Sequence, residues 1–156
     1  MSLPRHTAEG IWPAFWLMPE SDVCWPTGGE IDVMEYNGNQ FVDRVFGSFH
    51  WAPNGTQYCG KDREPLPGHS FKPSGAEMDW QTAWHVYGVR WTGSNLTFSC
   101  DGVDYYSVGR TTVDLPVSPM YLILNQAVDP LLFPPSPGSG SYPAILEVEW
   151  VRVWQL

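Results

Sequence analysis

Short stretches of alternating apolar and polar residues run along most of the chain, and each is bounded by Gly, Pro, Asn or Asp. Alternation with a period of two places apolar side chains on one face of a β-strand, and β-branched and aromatic residues fit such strands. No stretch with the 3.6-residue period is long enough to predict a helix. The pattern therefore predicts strands at residues 11–17, 30–36, 42–51, 85–91, 96–100, 103–108, 120–128 and 146–154.

The connections between these strands predict how they are arranged. Thr92–Asn95 and Asp101-Gly102 have the composition of hairpin turns. Residues 52–80 and 129–143 form connections that are long for a compact domain, and loops of this length are usually functional rims or disordered. Neither long connection separates two independent sets of strands. We therefore predict a single all-β domain over residues 1–156, built as a sandwich of two sheets.

Composition narrows the class of protein. Aromatic residues make up 15% of the chain, with 9 Trp, which excludes a disordered chain or a coiled coil. The 17 acidic against 8 basic side chains give a net charge of −9, which argues against binding to nucleic acid or anionic lipid. No apolar run approaches the roughly 18 residues that a transmembrane helix needs, so no membrane span is expected.

The three cysteines leave the redox compartment open. Cys24, Cys59 and Cys100 are either buried thiols of a cytosolic protein or include one Cys24–Cys59 disulfide of a secreted protein, with Cys100 free. Two glycosylation sequons, which begin at Asn54 and Asn95, fit the secreted alternative. Such triplets also arise by chance, so both interpretations stand at this point.

The densest group of ionisable residues lies in the predicted strand 30–36. Glu30, Asp32 and Glu35 occur there although strands are depleted in acidic residues. On a regular strand Glu30 and Asp32 share one face while Glu35 points to the other, and one β-bulge at Val33-Met34 would return Glu35 to the shared face. Side chains that lean inward on a curved strand would then bring the glutamate carboxyls to roughly 5 Å, the spacing of a retaining glycosidase pair.

Other interpretations of the same residues stay open on spacing alone. A solvated edge strand would direct these acids to water and keep Ile31 and Met34 in the core. A calcium site would also use carboxylate oxygens, although calcium loops are flexible turns rather than strands. The surroundings favour a carbohydrate site, because sugar rings stack on indoles and aromatic residues flank the acids: Trp12, Trp16, Trp25 and the pair His50-Trp51. Singly, each Trp is more often a core residue.

Several blocks of the chain resemble glycoside hydrolase family 16, in particular its β-1,3-glucanases, the laminarinases. These blocks are GIWPAFWL (10–17), WPTGGEIDVME (25–35), HW (50–51), HVYGVRW (85–91), YLILN (121–125) and WVRVW (150–154). The pattern E-x-D-x-x-E after WPAFWL is highly specific, and its two residues between Asp and the second Glu are the bulged form. The chain therefore looks more like laminarinases than lichenases or xyloglucan transglycosylases. The resemblance implies a concanavalin-like β-jelly-roll sandwich of two curved antiparallel sheets.

The resemblance also implies a role for individual residues. Glu30 would be the nucleophile and Glu35 the acid/base of a retaining hydrolysis through a glycosyl-enzyme. Asp32 would hydrogen-bond Glu30 and help to keep Glu35 protonated. The residues expected to bind the substrate, a β-1,3-glucan of the laminarin type, are Trp12, Trp16, Trp25, Asn37, His50 and Gln126. The alternatives are a non-catalytic β-1,3-glucan-binding module and an inactive, truncated fragment.

Further expectations concern organisation and partners. Family members have more strands before the WPAFWL block, so we expect the C-terminal part of the family domain and a jelly roll that is incomplete at its N-terminus. No cofactor and no catalytic metal are expected. Where the family's structural calcium site has an Asp this chain has Glu149, so bound calcium is not expected either. The expected protein is a secreted monomer that acts on a polysaccharide.

Overall fold

The computed structural model describes residues 1–2, 11–36, 44–53, 69–71, 83–128 and 143–155. The strands are β1 (Ile11–Pro19), β2 (Glu30–Glu35), β3 (Val45–His50), β4 (His69–Phe71), β5 (Tyr87–Trp91), β6 (Asn95–Cys100), β7 (Val103–Gly109) and β8 (Met120–Val128). None of the described residues forms a helix, so the structure shows no helix there that could cross a membrane. The prediction of an all-β fold is confirmed.

The strands form two antiparallel sheets. The larger sheet has the order β4-β3-β2-β1-β8, and the smaller sheet has the order β5-β6-β7. Both turns predicted from the sequence occur, since β5 pairs with β6 and β6 with β7 as consecutive hairpins. The acidic strand β2 therefore lies in the middle of the larger sheet, with β1 on one side and β3 on the other.

The core lies between the two sheets. Ile31 and Phe49 from the larger sheet meet Leu96 and Phe98 from the smaller one, and all four are fully buried. Burial of each such side chain contributes about 1.5–3 kcal/mol to folding. Because side chains alternate along a strand, these contacts occupy only one face of β2 and β3. The opposite face of both strands takes no part in these contacts.

Two strand predictions differ from the structure. Residues 146–154 alternate as a strand does, yet they form only one isolated bridge, between Glu147 and Ser2. A strand needs a neighbour for its backbone hydrogen bonds, and no described segment runs beside this one as a ladder. Conversely, β4 lies within residues 52–80, for which only a long connection was predicted. Three residues are too few for a periodic pattern to be recognised.

The cysteines are in two different states. Cys24 is disulfide-bonded, which agrees with the oxidised alternative, and its predicted partner Cys59 lies outside the described residues. Cys100 on β6 is free and buried. Burial raises the pKa of the Cys100 thiol to about 12, so it stays neutral and packs as a small apolar core residue.

Candidate active site

The strand β2 contains a bulge where its sequence predicts one. The consecutive β1 residues Phe15 and Trp16 pair with Met34 and Asp32, so Val33 is an extra residue on β2. The register against β3 shifts at the same place. An extra residue moves every side chain beyond it to the other face of the sheet. The predicted bulge at Val33-Met34 is confirmed.

The bulge places three carboxylates on the face of the larger sheet that points away from the core. Ile31 and Met34, which lie between the acids in sequence, are fully buried on the core side. Glu30, Asp32 and Glu35 lie directly opposite alternating residues of β3, namely His50, Ser48 and Phe46. Directly opposite residues of an antiparallel pair share a face. The three acids therefore share one face, which we call the acidic face.

Neighbouring elements donate hydrogen bonds to the two glutamates. The indole N–H of Trp25 donates to Glu30. The indole N–H of Trp12 donates to Oε1 of Glu35 at 2.9 Å, and the hydroxyl of Ser48 donates to its Oε2 at 3.4 Å. Since each partner comes from a different segment than β2, the orientation of both carboxylates depends on the assembled sheet.

Asp32 contacts both Glu30 and His50. Its side chain is buried and shares a hydrogen bond with Glu30. Its Oδ2 lies 2.9 Å from Nε2 of His50. The His50 ring is in turn tilted against the Trp25 ring, with centroids 5.5 Å apart. Glu30, Asp32, His50 and Trp25 thus form one connected cluster.

The loop between β1 and β2 holds Trp25 in this cluster. Two successive turns close the loop, through backbone hydrogen bonds from Thr27 to Cys24 (2.8 Å) and from Gly29 to Pro26 (2.9 Å). Gly29 has a φ of +82°, which favours glycine, and a Cβ there would lie 2.9 Å from the Pro116 ring. The glycine therefore allows the chain to turn directly from the loop into Glu30.

Burial raises the pKa of all three carboxyls. For Glu35, burial and then the charge of Asp32 raise the pKa to about 7, against the opposing effects of His50 and of the Trp12 hydrogen bond. Burial, followed by the charge of Asp32, raises the pKa of Glu30 to about 7. Burial also raises the pKa of Asp32. Carboxyls with such pKa values can hold and release a proton near neutral pH, as general acid/base catalysis requires.

We expect Asp32→Asn to raise the melting temperature at pH 8 by more than at pH 4. Burial raises the pKa of Asp32 from 3.8 in the unfolded chain to about 7 in the folded protein. Below the unfolded pKa the carboxyl is neutral in both states, and as the pH rises through 7 the free energy of unfolding falls because the buried carboxyl must ionise. Asparagine does not ionise, so the variant does not lose this stability as the pH rises. Calorimetry of both proteins at the two pH values, in buffer with EDTA, measures the difference.

The control for this prediction is Asp104→Asn on β7, which removes an exposed carboxylate that is paired with Arg90. We expect it to leave the difference between pH 4 and pH 8 nearly unchanged. An equal shift in melting temperature at both pH values for Asp32→Asn would contradict the assignment of a raised pKa to this group.

The structure brings most of the predicted substrate-binding residues to the acidic face. Trp12, Trp25 and His50 contact the carboxylates as described above, and Trp16 shares their face because it pairs with Asp32. Gln126 is not brought there: it pairs with Pro13 on the opposite face and its amide donates to the Ala144 carbonyl at 3.0 Å. Asn37 lies outside the described residues.

Two polar residues of the acidic face were not found from the sequence. Ser48 lies opposite Asp32 on β3, and Asn125 on β8 accepts a 2.7 Å hydrogen bond from the Trp16 indole. Only the register of β8 against β1 identifies Asn125, because this register places Asn125 rather than Gln126 on the face of Trp16. Register between distant strands is not visible in a single sequence.

Comparison with known proteins agrees with the geometry. The sequence model described as Glycosyl hydrolases family 16 matches residues 1–129. Glucan endo-1,3-beta-glucosidase A1 of Niallia circulans is 31% identical over 96% of this chain and 23% of its own length. Glucan endo-1,3-beta-glucosidase of Cryptopygus antarcticus is 29% identical over 97% of this chain and 58% of its own. Beta-1,3-glucan-binding protein of Penaeus monodon is 28% identical over 65% of this chain and 27% of its own.

Solved structures show the same relationship. The endo-beta-1,3-glucanase from Pyrococcus furiosus superposes with a TM-score of 0.73 and 28% identity, over 92% of this chain and 54% of its own. The catalytic domain of the endo-1,3-beta-glucanase (laminarinase) from Thermotoga petrophila gives 0.70 and 26% identity, over 90% of this chain and 55% of its own. This chain thus spans about half the length of these two neighbours. The predicted jelly-roll fold class is confirmed, and the chain belongs to glycosyl hydrolase family 16.

Proposed function

We propose that the chain hydrolyses β-1,3-glucosidic bonds of laminarin-type β-glucans with retention of configuration, through a glycosyl-enzyme. One observation carries the proposal: the bulge in β2 places Glu30 and Glu35 on one face, with Asp32 between them in sequence. Retaining glycosidases use such a pair, one carboxylate as nucleophile and the other as acid/base. The names of the two glucan endo-1,3-beta-glucosidases among the relatives support the substrate class.

In the first step, Glu30 attacks the anomeric carbon of the sugar. A bond forms between its carboxylate oxygen and that carbon, the glycosidic bond breaks, and Glu35 gives its proton to the leaving oxygen. In the second step, Glu35 removes a proton from water, the water oxygen bonds to the anomeric carbon, and the ester to Glu30 breaks. The Trp25 hydrogen bond holds Glu30 in one orientation.

The charges of the cluster change Glu35 from acid to base between the two steps. In the free protein burial raises the pKa of Glu35 most, the negative charge of Asp32 raises it further and that of Glu30 adds a smaller effect, so that Glu35 holds a proton near neutral pH. Ester formation removes the charge of Glu30. The pKa of Glu35 then falls, and Glu35 becomes a base when the water must be activated.

The tryptophans supply the apolar surface that a glucose ring needs. Each indole N–H is already bonded within the protein: Trp12 to Glu35, Trp16 to Asn125, and Trp25 to Glu30. These hydrogen bonds fix the orientation of the rings before a substrate binds. The low count of basic residues also favours a neutral glucan over a sulfated polysaccharide, which would need Arg or Lys to bind it.

Asn125→Ala is expected to raise KM for laminarin about 2- to 10-fold with little change in kcat, because it removes the acceptor that orients Trp16. Asn125 is a positioning residue in this proposal and does not touch the reacting atoms. Steady-state kinetics separates the two constants. Restoration of KM by Asn125→Gln would support positioning, whereas a fall in kcat with KM unchanged would contradict it.

The test of the function is a substrate panel with the purified, cooperatively folded protein. We expect release of reducing ends from laminarin, less from mixed-linkage glucan and none from agarose, and nuclear magnetic resonance should show the β-anomer as the first product. Folded protein that binds laminarin without hydrolysis would instead support a glucan-binding module, the activity in the name of the Penaeus monodon relative. An α-anomer as first product would contradict retention.

We also propose that the protein works outside the cell, because disulfides such as that of Cys24 persist in oxidising compartments. Both chemical steps use only side chains of this chain and water. The single domain and the monomeric state are predictions. One cooperative unfolding transition in calorimetry would support the single domain, and analytical ultracentrifugation of the purified protein measures the oligomeric state.

A further inference from the structure

The carboxylates of the acidic face also offer the donor set of a transition-metal site. Glu30, Asp32 and His50 each provide one ligand atom, and these atoms lie within 4.8 Å of one another. Oδ2 of Asp32 and Nε2 of His50 are 2.9 Å apart, which is slightly closer than the roughly 3.3 Å between two ligands of a tetrahedral cation with bonds of about 2.0–2.1 Å. We propose that Glu30, Asp32 and His50 reversibly bind a divalent transition-metal cation of the Zn²⁺ type.

An unsatisfied buried atom supports this proposal independently. Asp32 is only 3% exposed, yet its Oδ2 accepts no hydrogen bond in the structure even though Nε2 of His50 is close. Burial of a carboxylate oxygen that accepts no hydrogen bond is costly, so such an atom calls for an explanation. A cation that binds both the oxygen and the nitrogen lone pair satisfies the two atoms together. A proton on His50 is the competing explanation, which the experiment below separates.

The ligands select the kind of cation. One imidazole nitrogen with two carboxylate oxygens suits Zn²⁺, whereas Ca²⁺ and Mg²⁺ prefer six or more oxygens that include water. Three protein ligands leave a fourth position open to water. Nδ1 of His50 has no hydrogen-bond partner, and loss of such outer support typically weakens metal binding about 10- to 100-fold. Binding should therefore be reversible and removable by a chelator.

Occupation of this site has a consequence for catalysis, and this part rests on the proposed function. A cation bound to the Glu30 carboxylate takes the lone pair that would attack the anomeric carbon. Zinc should then inhibit laminarin hydrolysis in competition with substrate, and EDTA should restore it. Binding of the cation itself does not depend on activity, so the two proposals can fail separately.

The experiment is isothermal titration calorimetry with zinc chloride on the full chain after removal of any affinity tag. We expect one site in the wild type, at least tenfold weaker binding in His50→Gln and in Glu30→Gln, and unchanged binding in Asp104→Asn. Calcium and magnesium chlorides should give no binding heat. Zinc binding that is unchanged in both His50→Gln and Glu30→Gln, or no binding in the wild type, would overturn the proposal.

A spectroscopic measurement keeps the proposal testable if a variant fails to fold. Cobalt(II) bound to the wild type in a four-coordinate nitrogen and oxygen site should give visible d–d absorption, which excess zinc should displace. The weak spectrum of the hexaaqua ion, with or without protein, would count against the site. If His50 is simply protonated, neither the calorimetric nor the cobalt signal should appear.

Discussion

Glu30→Gln is expected to lower kcat for laminarin by roughly 10⁴-fold. Glutamine has nearly the same shape and still accepts the Trp25 hydrogen bond, but its amide cannot form the glycosyl ester. The fold should survive because only one oxygen is exchanged for an NH₂ group. The measurement is the initial rate of reducing-end release, with circular dichroism to show that the variant is folded.

Two comparisons make this result specific to the nucleophile. Glu149→Gln is the matched control, because it makes the same substitution at an exposed position, and its activity should equal that of the wild type. Glu30→Ala with added sodium azide should give an α-glycosyl azide from an activated β-glucoside, since one displacement inverts the anomeric centre. A rate for Glu30→Gln within tenfold of the wild type would show that Glu30 is not the nucleophile.

Glu35→Gln is expected to lower the rate on laminarin by about 10²- to 10⁴-fold, the usual contribution of a general acid. The loss should be far smaller for formation of the glycosyl-enzyme from a dinitrophenyl β-glucoside, because that leaving group departs without a proton. The rate of Glu30→Gln should stay low even with the dinitrophenyl β-glucoside. Burst kinetics with the dinitrophenyl substrate separates the two steps.

The control here is Ser48→Ala, which keeps the carboxyl and removes only the 3.4 Å hydrogen bond to it. Its rate should fall by less than about tenfold, the effect of one neutral hydrogen bond. Equal losses on laminarin and on the activated substrate for Glu35→Gln would contradict its assignment as the acid. They would indicate instead a general disturbance of the acidic face.

The bulge could be predicted because apolar residues on both sides of it constrain the strand. Ile31 and Met34 are three positions apart, yet both must face the core, which is impossible on a regular strand with a period of two. One extra residue resolves the conflict and also brings Glu35 to the face of Asp32. The apolar and acidic positions of this strand therefore indicate both which residues face the core and which face the acids share.

The features that could not be predicted depend on contacts between distant segments. The choice between Asn125 and Gln126 follows from the register of β8 against β1, where a shift of one residue would exchange the two. The hydrogen bonds from Trp12 and Trp25 require the folded sheet and the closed loop. Residues 146–154 show that alternation alone does not make a strand when no described segment pairs along it.

The most direct test of the central claim is to trap the covalent intermediate with a 2-deoxy-2-fluoro-β-laminaribiosyl fluoride and to locate it by peptide mass spectrometry. The fluorine slows the second step more than the first, so the ester accumulates. We predict one adduct per chain, on Glu30, and none in Glu30→Gln. An adduct on Glu35 or elsewhere, or a folded and active protein that never becomes labelled, would contradict the claim that the bulge in β2 assembles a retaining pair.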